Sequence, residues 1–390
     1  MTSLALPDRA RRGVTRPLTD HEPWTIVHDF CFQYGGAERV TETVAHRLLP
    51  QAEIVFLGGS PEVAERMGLL HRARFLLPDR LVTERSYRHL SPLYAPWLAR
   101  RRPLPGNVFA SSYAFAHHLP ATGRKVVFCH SPLRQIWSGL HDYQAQLGRR
   151  GGTALRTVAP LLRTLDRSAA LGADLYVTTS RDVQSRVERY YGLADAPVIP
   201  PPIDTDTFRP DPSATARDHY LWVGRIVEPY KRLSLVLEAF RENGAPLLVA
   251  GSGRDEQRLR AGAPANVTFL GEVPSSHLRS LYSGARALIF PSTDDFGMVP
   301  LESMACGTPV VAHRSGGALD TVREGVTGVY FEATSAEALN RAIDRLQGHV
   351  WDRRTIRAHA LEYGETRFVE RLGDLLHGHV AELTEPAIPA

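Results

Sequence analysis

The sequence predicts an α/β protein made of two doubly wound parallel-sheet domains facing one cleft. Three observations predict it. Short apolar runs of β type alternate with helix-length segments almost throughout the chain. A proline-dense break splits this series near residue 205. Each conspicuous polar motif falls where a strand gives way to the next helix. In open parallel sheets that edge is where ligands sit.

The elements follow in order. Strands are expected at 25–28, 54–57, 108–111, 125–129, 175–178 and 198–200. A second series is expected at 220–223, 247–250, 267–270, 287–290, 309–312 and 328–331. Their runs are apolar rather than alternating, as strands covered on both faces require. Helices are expected at 38–49, 155–171, 233–242, 276–282 and 299–305. Pro200, Pro201 and Pro202, with Pro210 shortly after, end the first series. Proline cannot extend a ladder, so this stretch reads as a hinge. The expected organisation is a flexible tail over 1–23, a first domain over 24–204, a second over 205–365, and a C-terminal helix over 366–390 that packs back on the first.

Composition narrows the function classes. The chain has 390 residues, 43% of them hydrophobic and 23% charged, so disorder is excluded as a general description. No apolar stretch approaches the roughly 18 residues that cross a bilayer. The first residues carry charges but no apolar h-region, unlike a secretory signal. Cys31, Cys129 and Cys306 show no CxxC or Cys/His spacing, which argues against a disulfide framework or structural zinc and for a cytoplasmic chain. Charge is uneven. Residues 1–205 hold 26 Lys and Arg against 18 Asp and Glu, whereas residues 206–390 hold 20 against 24. The basic half fits a phosphate-bearing partner or an anionic membrane face, or simply arginine-rich codon usage. No nucleic-acid motif accompanies it. Lys125 and Lys231 are the only lysines among 46 basic residues.

Four motifs carry chemistry. Gly35 and Gly36 lie between the first strand and the first helix, where a backbone can approach a ligand and a helix start offers N–H groups to an anion. His130 directly follows strand 125–129, and Arg134 adds a fixed positive charge nearby. Arg225 ends the strand at 220–223, and Lys231 follows at the start of a helix. Two cations beside helix amides make a cradle for a diphosphate, Arg as a fork and Lys as a compact charge. The longest motif runs from Pro291 to Ala312. Within it Phe296, Gly297, Met298 and Val299 lead into a helix and aim amides at an anion. Asp294 and Glu302 supply carboxylates that suit vicinal hydroxyls of a sugar or ribose.

Taken together these segments resemble the retaining glycosyltransferases of the GT-B fold, family GT4 (glycosyl transferases group 1). Order and spacing match over roughly 24–345. The stretches around Lys231 and Phe296 look most like bacterial mannosyltransferases of polysaccharide assembly. The resemblance implies two Rossmann-like domains and a nucleoside-diphosphate sugar as donor, with GDP-mannose favoured. It implies catalytic roles for His130, Arg225, Lys231 and Asp294. His130 would lie near the reacting carbon, while Arg225 and Lys231 would bind the diphosphate. Gly35 and Gly36 would touch donor phosphate or the reaction centre. Asp294 would hold sugar hydroxyls, the amides of Phe296, Gly297, Met298 and Val299 would contact sugar and phosphate, and Glu302 would accept from the ribose. Two departures stand out: Asp294 where the family usually has Glu, and Asp320 where a Glu often follows the paired glycines 316 and 317.

The implied reaction moves a hexose onto an acceptor hydroxyl with retention. The acceptor attacks from the leaving-group face, and fixed cations and amides stabilise the departing diphosphate. No metal or other cofactor is then required. The Asp204–Asp206 DxD follows the prolines rather than a nucleotide-binding strand, and reads as a turn. The competing readings are a GT-B-type sugar-nucleotide isomerase or glycan phosphorylase, and a non-catalytic nucleotide-binding module. The acceptor is a glycan, a lipid-linked molecule or a small molecule. Residues 66–102 hold nine arginines against Asp79 and Glu84. Within that stretch Trp97, Arg100, Arg101 and Arg102 suit an anionic bilayer or a lipid-diphosphate acceptor, placing the chain peripherally on the inner face of the plasma membrane.

Overall fold

The computed structural model describes residues 22–77, 82–83, 91–214 and 219–377. They form two compact units. The first runs through Ile199 and takes up the chain again at Val369; the second is Pro200–Phe368. The passage lies inside the proline run, a few residues before the 204/205 boundary read from the sequence. Ile203 belongs with the second unit because its N–H donates to the Tyr363 carbonyl at 2.9 Å.

The first unit contains strands β1 (Trp24–Cys31), β2 (Glu53–Gly59), β3 (Ala73–Phe75), β4 (Asn107–Ser112), β5 (Lys125–Cys129) and β6 (Leu175–Thr178). Its helices are α1 (Gly36–Thr43), α2 (Pro61–Arg66), α3 (Ser91–Ala99), α4 (Leu140–Leu171) and α5 (Arg181–Tyr191). All strands are parallel, in the order β3-β2-β1-β4-β5-β6. Strand order reverses between β1 and β4, the switch point where an open sheet leaves a crevice. Val27, Val55, Val108 and Val127 sit in one buried layer, and β1 and β4 are buried almost end to end. At the end of β1 the Asp29 carboxylate accepts the amides of Tyr113, Ala114, Phe115 and Ala116 at 2.6–2.8 Å. A fully buried charge is tolerated because it is so completely bonded.

The second unit repeats the plan. Its strands are β7 (His219–Val223), β8 (Leu247–Ala250), β9 (Val267–Gly271), β10 (Ala285–Phe290), β11 (Val310–His313) and β12 (Gly328–Phe331). Its helices are α6 (Leu233–Asn243), α7 (Glu256–Ala261), α8 (Ser275–Gly284), α9 (Met298–Ala305), α10 (Ala318–Thr321), α11 (Ala336–Gln347) and α12 (Arg353–Leu361). The order is β12-β11-β10-β7-β8-β9, again parallel, with the switch between β7 and β10. Along β7 the period of two is explicit. Tyr220 and Trp222 enter one core with α6 and α11, and Leu221 enters the other with α9 and α12. Helix α13 (Glu365–Leu376) begins in the second unit and ends in the first, where Arg124 donates to the Leu376 carbonyl at 3.1 Å.

Several expectations need correction. The strand expected at 198–200 is only an isolated bridge between Thr178 and Val198, because the prolines that follow supply no donor. The short edge strand β3 was not foreseen, since an arginine splits its two apolar residues. The helix expected at 155–171 begins at Leu140, with a kink where Gly148 has φ 68°. The helix expected at 38–49 is α1 followed by a π segment, Val44–Leu48. Among the described residues no helix is long and apolar enough to cross a membrane.

Candidate functional site

Each unit carries a polar constellation at its switch point. In the first, β1 and β4 bring His28 and Ser111 side by side in register. The His28 ring is completely buried. Its Nε2 lies 3.2 Å from Glu38 Oε1, and its Nδ1 lies 2.8 Å from Thr41 Oγ1 and 3.1 Å from Ser111 Oγ. Ser111 Oγ lies in turn 2.8 Å from His130 Nε2. Glu38, on the first turn of α1, reaches back to accept the Gly35 N–H at 3.0 Å. Thus Gly35 and His130 are linked through buried side chains. Because the Gly35 amide is already engaged, any ligand contact from this residue is made through its Cα or carbonyl. Gly36 opens α1. The His130 N–H donates to the Ser112 carbonyl at 2.8 Å, which fixes the turn after β5. The carbonyl of Arg134 accepts the Gly139 N–H at 2.8 Å within the next turn.

The second constellation sits beyond β7 and β10. Lys231 Nζ is 2.9 and 2.7 Å from the two oxygens of Asp294. Both side chains are largely covered, at 14% and 16% exposure. Lys231 is not in a helix. It closes the turn before α6, its N–H donating to the Val227 carbonyl at 2.9 Å, and its ammonium lies 5.1 Å from the Tyr230 ring centroid. The next residue, Arg232, adopts φ 50° and donates to the Pro291 carbonyl at 3.1 Å. This strained residue ties the loop after β7 to the end of β10. Arg232 also lies 3.3 Å from His313 Nδ1. Burial, with the guanidinium beside it, pushes the His313 pKa down, so this imidazole is neutral and accepts. Arg225 is exposed at the end of β7.

The Asp294 loop is held from beneath. Its carbonyl accepts the Gly317 N–H at 2.9 Å, and Thr293 Oγ1 meets Ser315 Oγ at 2.8 Å. Gly297 caps α9 with φ 85°, a left-handed conformation that favours glycine, and lets Met298 and Val299 start the helix at once. The first amides of α9 lack intrahelical acceptors. Phe296 is buried beside this turn. Glu302, one turn into α9, accepts from the Tyr282 hydroxyl at 3.1 Å. The usable chemistry here is one ammonium, two carboxylates and a row of amides, which is a set for binding phosphate and hydroxyl groups.

Other predicted positions are less central. Trp97 packs on the first core with the Arg101 guanidinium 4.4 Å over its ring; Arg100, Arg101 and Arg102 are exposed. Asp79 and Glu84 lie outside the described residues. Asp204 accepts the Thr207 N–H at 2.8 Å, which makes the DxD a local turn. The three cysteines are free and buried, and burial pushes the thiols of Cys31 and Cys306 up, so neither is a ready nucleophile.

Sequence reasoning missed His28, Glu38, Thr41 and Ser111. The available signal was the adjacent pair His28 and Asp29 inside a largely apolar strand. It also missed Gly251, whose absent Cβ would lie 1.9 Å from the Gly224 carbonyl oxygen, so the loops after β7 and β8 pack backbone on backbone.

Among the described residues one group has metal-ligand composition: His117, His118 and Asp166, all buried. Asp166 is already saturated. Trp137 Nε1 and the Tyr191 hydroxyl donate to Oδ2, each at 2.7 Å, and both imidazoles lie 3.1 Å from Oδ1. Burial alone would raise this carboxyl, but the two imidazoles hold it well below the usual carboxylate range.

Comparison with known proteins agrees with the geometry. The family model "Glycosyltransferase Family 4" matches residues 34–207, and "Glycosyl transferases group 1" matches 204–349. A GDP-mannose-dependent alpha-(1-6)-phosphatidylinositol monomannoside mannosyltransferase of Mycolicibacterium smegmatis is 29% identical across 69% of this chain and 84% of its own. A D-inositol 3-phosphate glycosyltransferase of Acidothermus cellulolyticus is 33% identical across 45% of this chain; the match spans 46% of that protein. Anabaena HepE, solved with UDP and glucose, superposes with TM-score 0.66 at 19% identity, covering 92% of this chain and all of that one. Sucrose-phosphate synthase of Thermosynechococcus elongatus gives 0.67 at 18%, covering 92% and 99%. With both sheets built on one plan and the two family models matching end to end from 34 to 349, this chain belongs to glycosyltransferase family 4 and is a glycosyltransferase of the GT-B fold.

Proposed function

We propose that the protein transfers mannose from GDP-mannose to an acceptor hydroxyl with retention of configuration and without a metal ion. The observation that carries the reading is the Lys231–Asp294 pair beside the start of α9, at the switch point of the second sheet. Two of the three ammonium protons of Lys231 serve Asp294, and the third has no partner among the described residues. A diphosphate oxygen takes that third proton, while Asp294 turns its remaining acceptor capacity to sugar hydroxyls. Arg225 supplies a second cation. The amides of Phe296, Gly297, Met298 and Val299 meet the sugar and phosphate, and Glu302 accepts from the ribose.

In the transition state the sugar becomes cation-like and the diphosphate gains charge. Preorganised donors stabilise that charge, and no protein nucleophile is needed. His130 sits by the reacting carbon, with Gly35 and Gly36 lining the same region. The acceptor hydroxyl attacks from the leaving-group face and the departing phosphate takes its proton. Trp97, Arg100, Arg101, Arg102 and Arg134 make the acceptor side basic and aromatic. That suits a lipid-linked acceptor at an anionic surface, with the chain peripheral on the cytoplasmic side. The mannosyltransferase relative supports the choice of donor.

A thermal-shift screen of GDP, UDP, ADP and their sugars, run with and without EDTA, tests the reading. GDP and GDP-mannose raise the midpoint equally in both conditions, because ligands of the folded state stabilise it by mass action. Stabilisation by UDP or ADP species alone removes the donor assignment. Stabilisation and turnover that vanish with EDTA remove the metal-free mechanism.

A further inference from the structure

The string of bonds behind His130 has a property its separate members lack. Glu38 accepts only, so the proton on the Glu38 side of His28 resides on Nε2, and Nδ1 faces the hydroxyls of Thr41 and Ser111. Ser111 Oγ touches both imidazoles, at 3.1 Å from His28 Nδ1 and 2.8 Å from His130 Nε2. Thr41 has an alternative acceptor, the Ala37 carbonyl at 3.1 Å, so its hydroxyl can release His28 without losing a partner. Each of these groups stays bonded whichever way the hydroxyls point.

We propose that Ser111, His28 and Glu38 form a proton relay behind His130 and position its ring. The inference rests on the reading that His130 lies at the reacting centre. A proton held on His130 Nε2 passes to Ser111 Oγ while the Ser111 proton passes to His28 Nδ1. One N–H bond and one O–H bond break, and one O–H bond and one N–H bond form. The heavy atoms stay in place. His130 is left neutral with Nε2 accepting from Ser111, and His28 becomes an imidazolium against the Glu38 carboxylate. The gain is electrostatic: a cation-like sugar then faces a neutral ring, and the positive charge sits one residue further back against an anion. The titratable groups facing His28 are Glu38 from α1, Tyr113 with its ring 5.9 Å away, and His130 beyond β5; the Phe56 edge from β2 is apolar. Asp29, next on β1, is committed to four amides.

The test uses the full chain labelled with 15N-histidine, with spectra of His28→Gln and His130→Gln assigning the two rings. The wild-type His130 ring gives one neutral signature with Nε2 as acceptor. Ser111→Ala abolishes that signature and lowers kcat by at least about tenfold with little change in KM, as lost alignment does. Ser111→Thr, which keeps the hydroxyl, restores both. Glu38→Gln, which removes the anion behind His28, reproduces the kcat loss and serves if Ser111→Ala does not fold. An unchanged signature and kcat in Ser111→Ala overturns the relay, as does a Ser111→Thr variant no better than Ser111→Ala. A changed signature with unchanged kcat overturns its catalytic use. His130→Ala with wild-type turnover instead defeats the placement of His130 at the reacting centre, and leaves the ring measurement to judge the relay alone.

Discussion

The two switch points share one strand order but not one kind of chemistry. In the first unit the polar groups satisfy each other: His28 and Ser111 are completely buried, and every contact named above is internal. In the second, Lys231 and Asp294 keep some exposure, one ammonium proton has no partner among the described residues, and the first amides of α9 lack intrahelical acceptors. A saturated network can tune or position but has little capacity left to bind. An unsaturated one is built to receive a ligand. The contrast arises in the loops, because the sheets beneath are nearly the same.

The largest effect belongs to the unsaturated side. Lys231→Ala lowers turnover by roughly a hundredfold or more, in the range of losing one oxyanion donor. Its thermal midpoint without ligand also falls, since loss of the ammonium leaves the largely covered Asp294 carboxylate without its partner. A Lys231→Ala enzyme with wild-type turnover in a steady-state assay breaks the comparison, because the binding side is then not where the chemistry is driven.

The saturated side has a stability signature instead. His118, buried beside His117 and Asp166, has its pKa lowered to about 4, first by burial and then by the neighbouring His117, against the pull of Asp166. Unfolded, it titrates near 6.5. Between these values the unfolded chain binds a proton that the folded chain refuses. The contribution is therefore present above about pH 6.5 and is lost as pH falls toward 4, by up to about 3 kcal/mol. Urea titrations across that window should show it, and His118→Gln should flatten it. An equal slope in the variant sends the effect elsewhere, to His313 or His359, whose pKa values are also lowered by burial.

How much of this was legible follows from the same contrast. The sheets were readable because doubly covered strands are plain apolar runs, and eleven of the twelve strands, all but β3, announce themselves that way. The edge was not: β3 is short and interrupted by arginine, and the 198–200 run fails for want of amide donors. Lys231, Asp294 and Gly297 were legible because each is conspicuous in its own loop. The bond between Lys231 and Asp294 was not, since 63 residues separate them and only the pairing of β7 with β10 brings them together. The string behind His130 was invisible for the same reason. Serine, threonine and glutamate are ordinary residues one at a time, and the 83-residue separation of His28 from Ser111 is closed only by strands β1 and β4.

The smallest predicted effect sharpens the contrast most. Asp294 stands where members of this family usually carry glutamate. The two unit architectures predict opposite tolerance to one methylene. Around His28 exposure is close to nil and each hydroxyl serves neighbours on more than one element, so a change that moves a polar atom there by one methylene breaks bonds. Asp294 is 16% exposed and faces the flexible end of a lysine that is 14% exposed. Asp294→Glu therefore keeps its bond to Lys231 by retreat of the lysine stem. Turnover stays within about tenfold of wild type, a cost near one ordinary hydrogen bond, and the change appears chiefly in KM for the donor sugar. Measuring kcat and KM for GDP-mannose in this one variant decides the point. A hundredfold fall in kcat at unchanged KM means the shorter carboxylate is itself part of the transition-state geometry, and the second constellation is then as tightly fitted as the first.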